Sequence, residues 1–409
     1  MAVSLQDYKD VVDAEVIEEL LVVADRVRGR RLQNINSTSV GGGVAEILTR
    51  MIPLLRELGV DATWDVIKGD QAFFNVTKTF HNALHGKPEE ITEEMFEIFR
   101  ATTEMNAREV NFIGDCIIIH DPQPAGLIIR KREVGGRWIW RCHIDVSSPD
   151  LRVWNFLKPC IQQYDASIFS VPDFAQQLSI PQFMVAPSID PLSDKNKELD
   201  PGYVSSVLEK YHIDPERPII TQVSRFDRLK DPLGVIAAYR LVRKRYDCQL
   251  VLAGGGAPDD PEGAEVLREV QEKAADDPDI HVLLLPPFSD LEINALVRGS
   301  TIVMQKSIKE GFGLTVSEAL WKKKPVIAGA VGGLKLQILD GITGFLVHSP
   351  EGAASRAMQL LGDLKLRRIL GENGYQHVKQ NFLLTRHVRD YMLVMLALDH
   401  VNEDVVHLS

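Results

Sequence analysis

The chain has 409 residues, 45% of them hydrophobic and 25% charged, with 29 glycines and 21 prolines. These proportions are those of an ordinary globular protein and exclude collagen-like, low-complexity and membrane-bundle chains. The length suggests two domains, each with its own core. Against 57 Asp+Glu there are 46 Lys+Arg, a net charge of −11, so no broad basic face is offered to a nucleic-acid backbone. The four cysteines, Cys116, Cys142, Cys160 and Cys248, form no CxxC pair. Reduced thiols in a cytoplasm are therefore expected, rather than a zinc or redox site. The opening stretch MAVSLQDYKDVVDAEVIEEL is acidic and amphipathic, unlike a signal peptide, and no run approaches the ~20 apolar residues of a membrane span. The expected protein is cytoplasmic, with neither nucleic acid nor membrane as a partner.

Along the chain, short apolar runs alternate with longer amphipathic ones, the pattern of parallel βαβ units. RLQNIN (31–36) reads as a strand, VAEILTRMIPLLRELG (44–59) as a helix and DATWDVI (61–67) as the next strand. The helix stops at Gly59, a residue suited to a left-handed C-terminal position, and starts from Gly41-Gly42-Gly43. Without side chains those glycines let backbone N–H groups approach an anion or a sugar; a plain tight turn is the other reading. GxGxxG would need a glycine where Glu46 stands, so this is no dinucleotide fingerprint. In TKTFHNALHG (77–86), Lys78 and Asn82 lie four residues apart on one helical face, open to a small polar ligand or simply solvated.

Acidic helical sequence fills 89–110, and strands are predicted at CIIIH (116–120), WIWRCHI (138–144) and SIFSV (167–171). His120-Asp121 ends the first of these, and His143, near Asp145, ends the second. A histidine at a strand end can hydrogen-bond a sugar hydroxyl or be a satisfied structural residue. The polar, proline-bearing IDPLSDKNKELDPG (189–202) reads as a linker, after which the alternation restarts. Strands are predicted at PIITQVS (218–224), QLVLAGGG (249–256), HVLLLP (281–286), TIVMQ (301–305) and PVIAGA (325–330), with helices at 232–246 and near 314–323. Two such halves would form a cleft at the carboxyl ends of their sheets, where open α/β sheets bind ligands.

Two segments of the second half carry the chemistry. SRFDRLKDP (224–232) puts Arg225 and Lys230 after a strand, where two cations could neutralise a diphosphate or lie in a solvated loop beside Asp227 and Asp231. EGFGLTVSE (310–318) sets Glu310 before a helix and Glu318 about a turn into it, with glycines between that bare the helix N-terminus. The structural alternative is a capping box from Thr315 to Glu318. Neither HExxH, GxSxG nor GxxxxGK[ST] occurs, and the nearest DxD, Asp277-Pro278-Asp279, reads as a polar turn. No obligatory metal is expected.

Together these segments resemble the retaining GT-B glycosyltransferases of family 4: SRFxxxKdP, EGFGLTVSEA and GGxxxxxxDGxTGFLV, over nearly the whole chain. Within that family NSTSVGGGVAEIL (36–48), FFNVTKTFHNALHG (73–86), HDPQPAGLI (120–128) and WRCHIDVSSP (140–149) are similar to the trehalose glycosyltransferring synthases. Most members of the wider family carry Ile-Pro-Glu after Gly332-Gly333. Here Leu334-Lys335-Leu336-Gln337 follows instead, again similar to the trehalose subgroup.

The resemblance implies an α/β fold of GT-B architecture, two Rossmann-like domains facing each other across a deep cleft. Residues 1–190 would bind the acceptor, 191–385 the donor, and a C-terminal helix in 386–409 would pack back toward the first domain. Arg225 and Lys230 would hold the donor diphosphate and Glu318 the ribose. Glu310 and the backbone of Gly311, Phe312 and Gly313, running into Leu314 and Thr315, would hold the donor glucose. His143 would contact that glucose near its primary hydroxyl, making Arg225, Lys230, Glu310 and His143 the catalytic set. Gly42 and Gly43 would approach the donor, the base would lie near 281–288, and Lys78, Asn82 and Asp121 would serve the acceptor.

The implied reaction passes glucose from ADP-glucose or UDP-glucose to the anomeric hydroxyl of free glucose, giving an α,α-1,1-linked disaccharide, with reversibility as a further expectation. Beyond this nucleoside diphosphate glucose no cofactor is implied. A homodimer is the default assembly. The alternatives are a related retaining transferase or a phosphorylase with another acceptor, and a sugar-nucleotide-binding protein without turnover.

Overall fold

The computed structural model describes residues 4–39, 42–255 and 261–400. The chain forms two compact units, one built from residues up to Ser188 together with those from Leu384 on, the other from Ile189–Leu383. Each is a six-stranded, wholly parallel sheet with helices around it.

In the first unit β1 (Arg31–Asn36), β2 (Asp61–Val66), β3 (Cys116–His120), β4 (Arg137–Arg141), β5 (Ala166–Phe169) and β6 (Gln182–Met184) lie in the order β2-β1-β3-β4-β5-β6. Every residue of β3 is buried because helices cover both faces of a parallel sheet, which is why its sequence is a continuous apolar run. The helix Gly42–Glu57 turns Ile47, Leu48, Met51, Leu54 and Leu55 inward. It is followed by Gly59 at φ +88°, a left-handed conformation that glycine adopts without strain. The core continues through Phe80, Phe96, Phe99, Trp138 and Trp140. The last described helix, Leu384–Asp399, packs on Ala14–Val27 within this same unit and buries Val388, Tyr391, Met392 and Met395.

In the second unit β7 (Ile219–Val223), β8 (Gln249–Gly255), β9 (Ile280–Leu285), β10 (Ile302–Gln305), β11 (Val326–Gly329) and β12 (Phe345–Val347) take the order β12-β11-β10-β7-β8-β9. Its core joins Ile220, Leu250 and Ile302 to Val235, Tyr239 and Ala357 of the covering helices. In both sheets the winding reverses once, between β1 and β3 and between β7 and β10. The crevice beyond the carboxyl ends at such a reversal is where these sheets take ligands.

Three expectations need correction. The strand predicted to Ile144 stops at Arg141, because the His143 N–H turns to the Asp121 carboxylate, 2.8 Å away. The predicted linker is entered by the helix Pro201–Lys210, capped by Asp200. The capping box at Thr315 does not form: the N-cap is Gly313 at φ +82°, which leaves Thr315 already inside the helix Leu314–Trp321. Among the described residues no helix is long and apolar enough to cross a membrane.

Candidate functional site

At the reversal of the second sheet, the loop after β7 carries Arg225 and Lys230, and the segment after β10 carries Glu310. Lys230 Nζ lies 2.6 Å from Glu310 Oε2, and the Ser307 hydroxyl donates to the same carboxylate oxygen at 3.2 Å. Lys230 is held from behind. The Gln222 side chain on β7 donates to its carbonyl at 2.8 Å, and the next residue, Asp231, caps the helix Pro232–Arg243 while pairing with the buried Lys306. Arg225 stands apart, its side chain 61% exposed and only 3.7 Å from Asp227. The site thus offers one cation fixed against a carboxylate and one free to swing onto an anion.

The loop Gly311–Gly313 leads from Glu310 into the helix Leu314–Trp321, whose free N–H groups suit an anion or sugar oxygens. Gln337 ties this loop down. Its Nε2 donates to the Phe312 carbonyl at 2.5 Å and, more weakly, to those of Gly313 and Gly333, while its Oε1 accepts from the Ser317 hydroxyl at 2.6 Å. The N–H groups of Gly311, Phe312 and Gly313 donate to no acceptor among the described residues. Close packing sets the glycine positions: a Cβ on Gly333 would fall 2.6 Å from the Phe312 Cα, and one on Gly254 only 1.9 Å from the Ser224 carbonyl oxygen. Gly254 is therefore a packing residue beneath the Arg225 loop; Gly256, the third of its triplet, lies outside the described residues.

Glu318 is buried in the helix, 3% exposed, and its carboxylate has no hydrogen-bond partner among the described residues. Lys322, one turn on, is buried too, giving hydrogen bonds to Asn196 Oδ1 at 2.9 Å and to the Glu318 carbonyl at 3.0 Å. Burial pushes its amine down to about 7. Past β9, Phe288 is 92% exposed, at φ +65°. Asp277-Pro278-Asp279 forms the turn before β9, and Asp279 is clamped there by Arg217 and Arg243.

In the first unit, the reversal between β1 and β3 brings Asn34 and His120 together, with His143 just past β4. His120 Nε2 is 3.0 Å from Asn34 Oδ1, and His120 Nδ1 is 3.0 Å from His143 Nε2. Asp121, at φ +68°, accepts the His143 N–H. Burial, reinforced by the Arg141 guanidinium, pushes His120 down to about 3 and His143 well below its ordinary value; burial raises Asp121 to about 6. Arg141 is itself wholly buried. Its Nη2 donates to the Val185 carbonyl at 2.7 Å, whereas Nε and Nη1 have no hydrogen-bond partner among the described residues.

Other residues singled out by sequence are placed separately. Lys78 and Asn82 share the helix Gln71–Leu84, where Asn82 is engaged with Glu89 at 2.9 Å. Gly42, at φ +76°, and Gly43 begin the helix after β1 and are exposed, whereas Gly41 lies outside the described residues. Asn34, Lys306, Ser307 and Gln337 were not singled out as site residues. A polar residue inside a buried strand, as Asn34 is in RLQNIN, is the signal that could have found the first of these; Lys306 and Ser307 follow β10 and Gln337 ends a short helix, where that signal does not apply. No three His, Cys, Asp or Glu side chains among the described residues converge to hold a metal ion.

Residues 34–176 match the model of the trehalose synthase N-terminal domain, and residues 206–377 that of the glycosyl transferases group 1. The chain is 44% identical to the trehalose synthase of Thermococcus litoralis, over 95% of each chain. It is 31% identical to the trehalose phosphorylase of Pleurotus pulmonarius, over 91% of this chain and 58% of that one. Among solved structures, an α,α-trehalose-phosphate synthase (UDP-forming) from Burkholderia xenovorans in complex with glucose-6-phosphate superposes with a TM-score of 0.74 at 13% identity, over 89% of this chain and 99% of that one. That likeness is one of fold, the GT-B fold of paired parallel sheets. Sequence and fold together make this chain a glycosyltransferase enzyme of trehalose-related glycosyl transfer, and it belongs to the trehalose synthase family.

Proposed function

We propose that the protein transfers glucose, with retained configuration, from ADP-glucose or UDP-glucose to the anomeric hydroxyl of free glucose, forming trehalose, and that it does so reversibly. The observation that carries the reading is the Lys230–Glu310 pair at the reversal of the second sheet, beside the exposed Arg225. A diphosphate leaving group brings negative charge that Arg225 can grip bidentately while Lys230 adds a point charge. As Lys230 turns to the diphosphate, Glu310 is released to accept hydrogen bonds from sugar hydroxyls, together with the N–H groups of Gly311, Phe312 and Gly313 and of the turn through Leu314 and Thr315. The unpartnered Glu318 carboxylate suits the paired hydroxyls of a ribose, and Phe288 offers a stacking face for the base.

Retention is assigned to attack from the face the diphosphate leaves. The bond from the anomeric carbon to the phosphate oxygen breaks with its electrons going to the diphosphate. The acceptor's anomeric oxygen bonds to that carbon, and its proton passes to a phosphate oxygen. The protein's part is to stabilise the departing charge and to orient both sugars. In the first unit, His143 would take a hydroxyl of the donor glucose, Gly42 and Gly43 would approach the donor, and Lys78, Asn82 and Asp121 would serve the acceptor. A cytoplasmic homodimer completes the proposal. A single mass measurement in solution checks the assembly.

A phosphorylase reading draws on the similarity to the Pleurotus enzyme. Incubating the protein with trehalose and inorganic phosphate separates the two: release of glucose 1-phosphate favours phosphorolysis, whereas trehalose breakdown that depends on ADP or UDP favours the transferase.

A further inference from the structure

We infer that Asn34, His120 and His143 form a relay that fixes His143 as its Nε2–H tautomer, leaving Nδ1 as a lone-pair acceptor for a sugar hydroxyl. The inference rests on the proposal that the first unit binds a sugar. It starts on β1, where the Asn34 amide nitrogen donates to the Thr63 carbonyl of neighbouring β2 at 3.4 Å. That contact turns Oδ1 toward His120. An amide oxygen only accepts, so His120 Nε2, 3.0 Å away, carries a proton.

His120 is 2% exposed and faces the buried Arg141, surroundings that oppose a second proton on its ring. Its Nδ1 is therefore bare and can only accept. The partner 3.0 Å away is His143 Nε2, which must donate and so carries the proton of the second ring. His143 is neutral for the same reasons: burial and the Arg141 guanidinium oppose a charge on it too. One proton on Nε2 leaves Nδ1 bare, and Nδ1 has no partner among the described residues. Two features hold the line in place: the rings lie within 14° of parallel, and the Asp121 carboxylate fixes the His143 backbone.

The relay gives His143 a role a free imidazole lacks. Its only proton is committed to His120, so it cannot donate to a leaving or bridging oxygen. Its bare nitrogen attracts a neutral hydroxyl and repels an ether oxygen or a phosphate ester at the same place, a discrimination that buried polar groups make sharply. His143 would thus read an unsubstituted sugar, with His120 and Asn34 as positioning residues.

The test is long-range 1H–15N correlation NMR on the full chain with ring-15N histidine. The signals of the two rings among the 11 histidines are assigned by their loss in His143→Gln and His120→Asn. Protons on Nε2 and bare Nδ1 on both rings at neutral pH are expected; a proton on Nδ1 of His143 overturns the inference. For the relay, His120→Asn keeps an acceptor oxygen close to where Nδ1 stands, whereas His120→Phe removes it. Trehalose formation should fall about tenfold or more in kcat/KM with Phe, the worth of one hydrogen bond, and recover largely with Asn. A folded His120→Phe protein with wild-type kcat/KM overturns the relay, and if that variant fails to fold the tautomer measurement on the unaltered chain still decides. A chain that makes no trehalose at all overturns the proposed function instead, and leaves the tautomer result standing.

Discussion

Arg225 and Lys230 differ as residues although both are cations in one loop. Arg225 is exposed and loosely held, so Arg225→Ala should leave stability nearly unchanged while lowering kcat by about 10²–10³, the usual cost of removing one donor to developing charge. Lys230→Ala should lower kcat at least as far and also destabilise the fold, because Glu310 is then left nearly buried without its cation. Parallel measurements of turnover and thermal unfolding check both, and wild-type turnover in either variant removes that residue from the reaction. Lys322 makes a pH prediction. Its folded value of about 7 lies below the ordinary lysine value, so between pH 7 and about 10 the unfolded chain binds a proton the folded one does not. This site's contribution to stability should therefore rise with pH across that window, by at most about 1.4 kcal/mol per pH unit, and stay level below pH 7. Denaturant unfolding of the wild type and Lys322→Met across the window checks this: the variant should lack that part of the slope.

At the scale of elements, the loop Glu310–Gly313 depends on Gln337, which reaches it from a different segment. Gln337→Leu leaves the Phe312 carbonyl and the Ser317 hydroxyl buried without their partner, a loss of about 1–3 kcal/mol in stability. It should also raise KM for the donor more than it lowers kcat; an unchanged KM would show that the loop holds its shape without Gln337. Gly254→Ala should cost about 1–3 kcal/mol by pressing a methyl against the Ser224 carbonyl. The same elements show what a sequence discloses. Strands such as CIIIH and QLVLAGG were legible because both faces are covered and the apolar run is continuous. The three-residue β6 was not, being only partly buried and lacking such a run. Arg225, Lys230 and Glu310 stood out because their motifs are local in sequence. Asn34, His120 and Gln337 act through partners between 20 and 86 residues away, which no local spacing reveals.

For the molecule as a whole, the winding of each sheet turns a sequence pattern into a chemical one. A reversal between β7 and β10 brings together residues 80 positions apart, Lys230 and Glu310, and one between β1 and β3 does the same for Asn34 and His120. The first reversal carries the charged groups suited to a diphosphate, and the second the neutral hydrogen-bonding groups suited to a sugar. The central claim is that these groups make trehalose from a nucleotide sugar and free glucose. The most direct measurement incubates the purified chain with ADP-glucose or UDP-glucose and glucose, and follows nucleoside diphosphate and non-reducing disaccharide together. Trehalose appearing in equal amount with the diphosphate is the predicted result. Diphosphate release without trehalose, or trehalose formed only from glucose 1-phosphate, would contradict it.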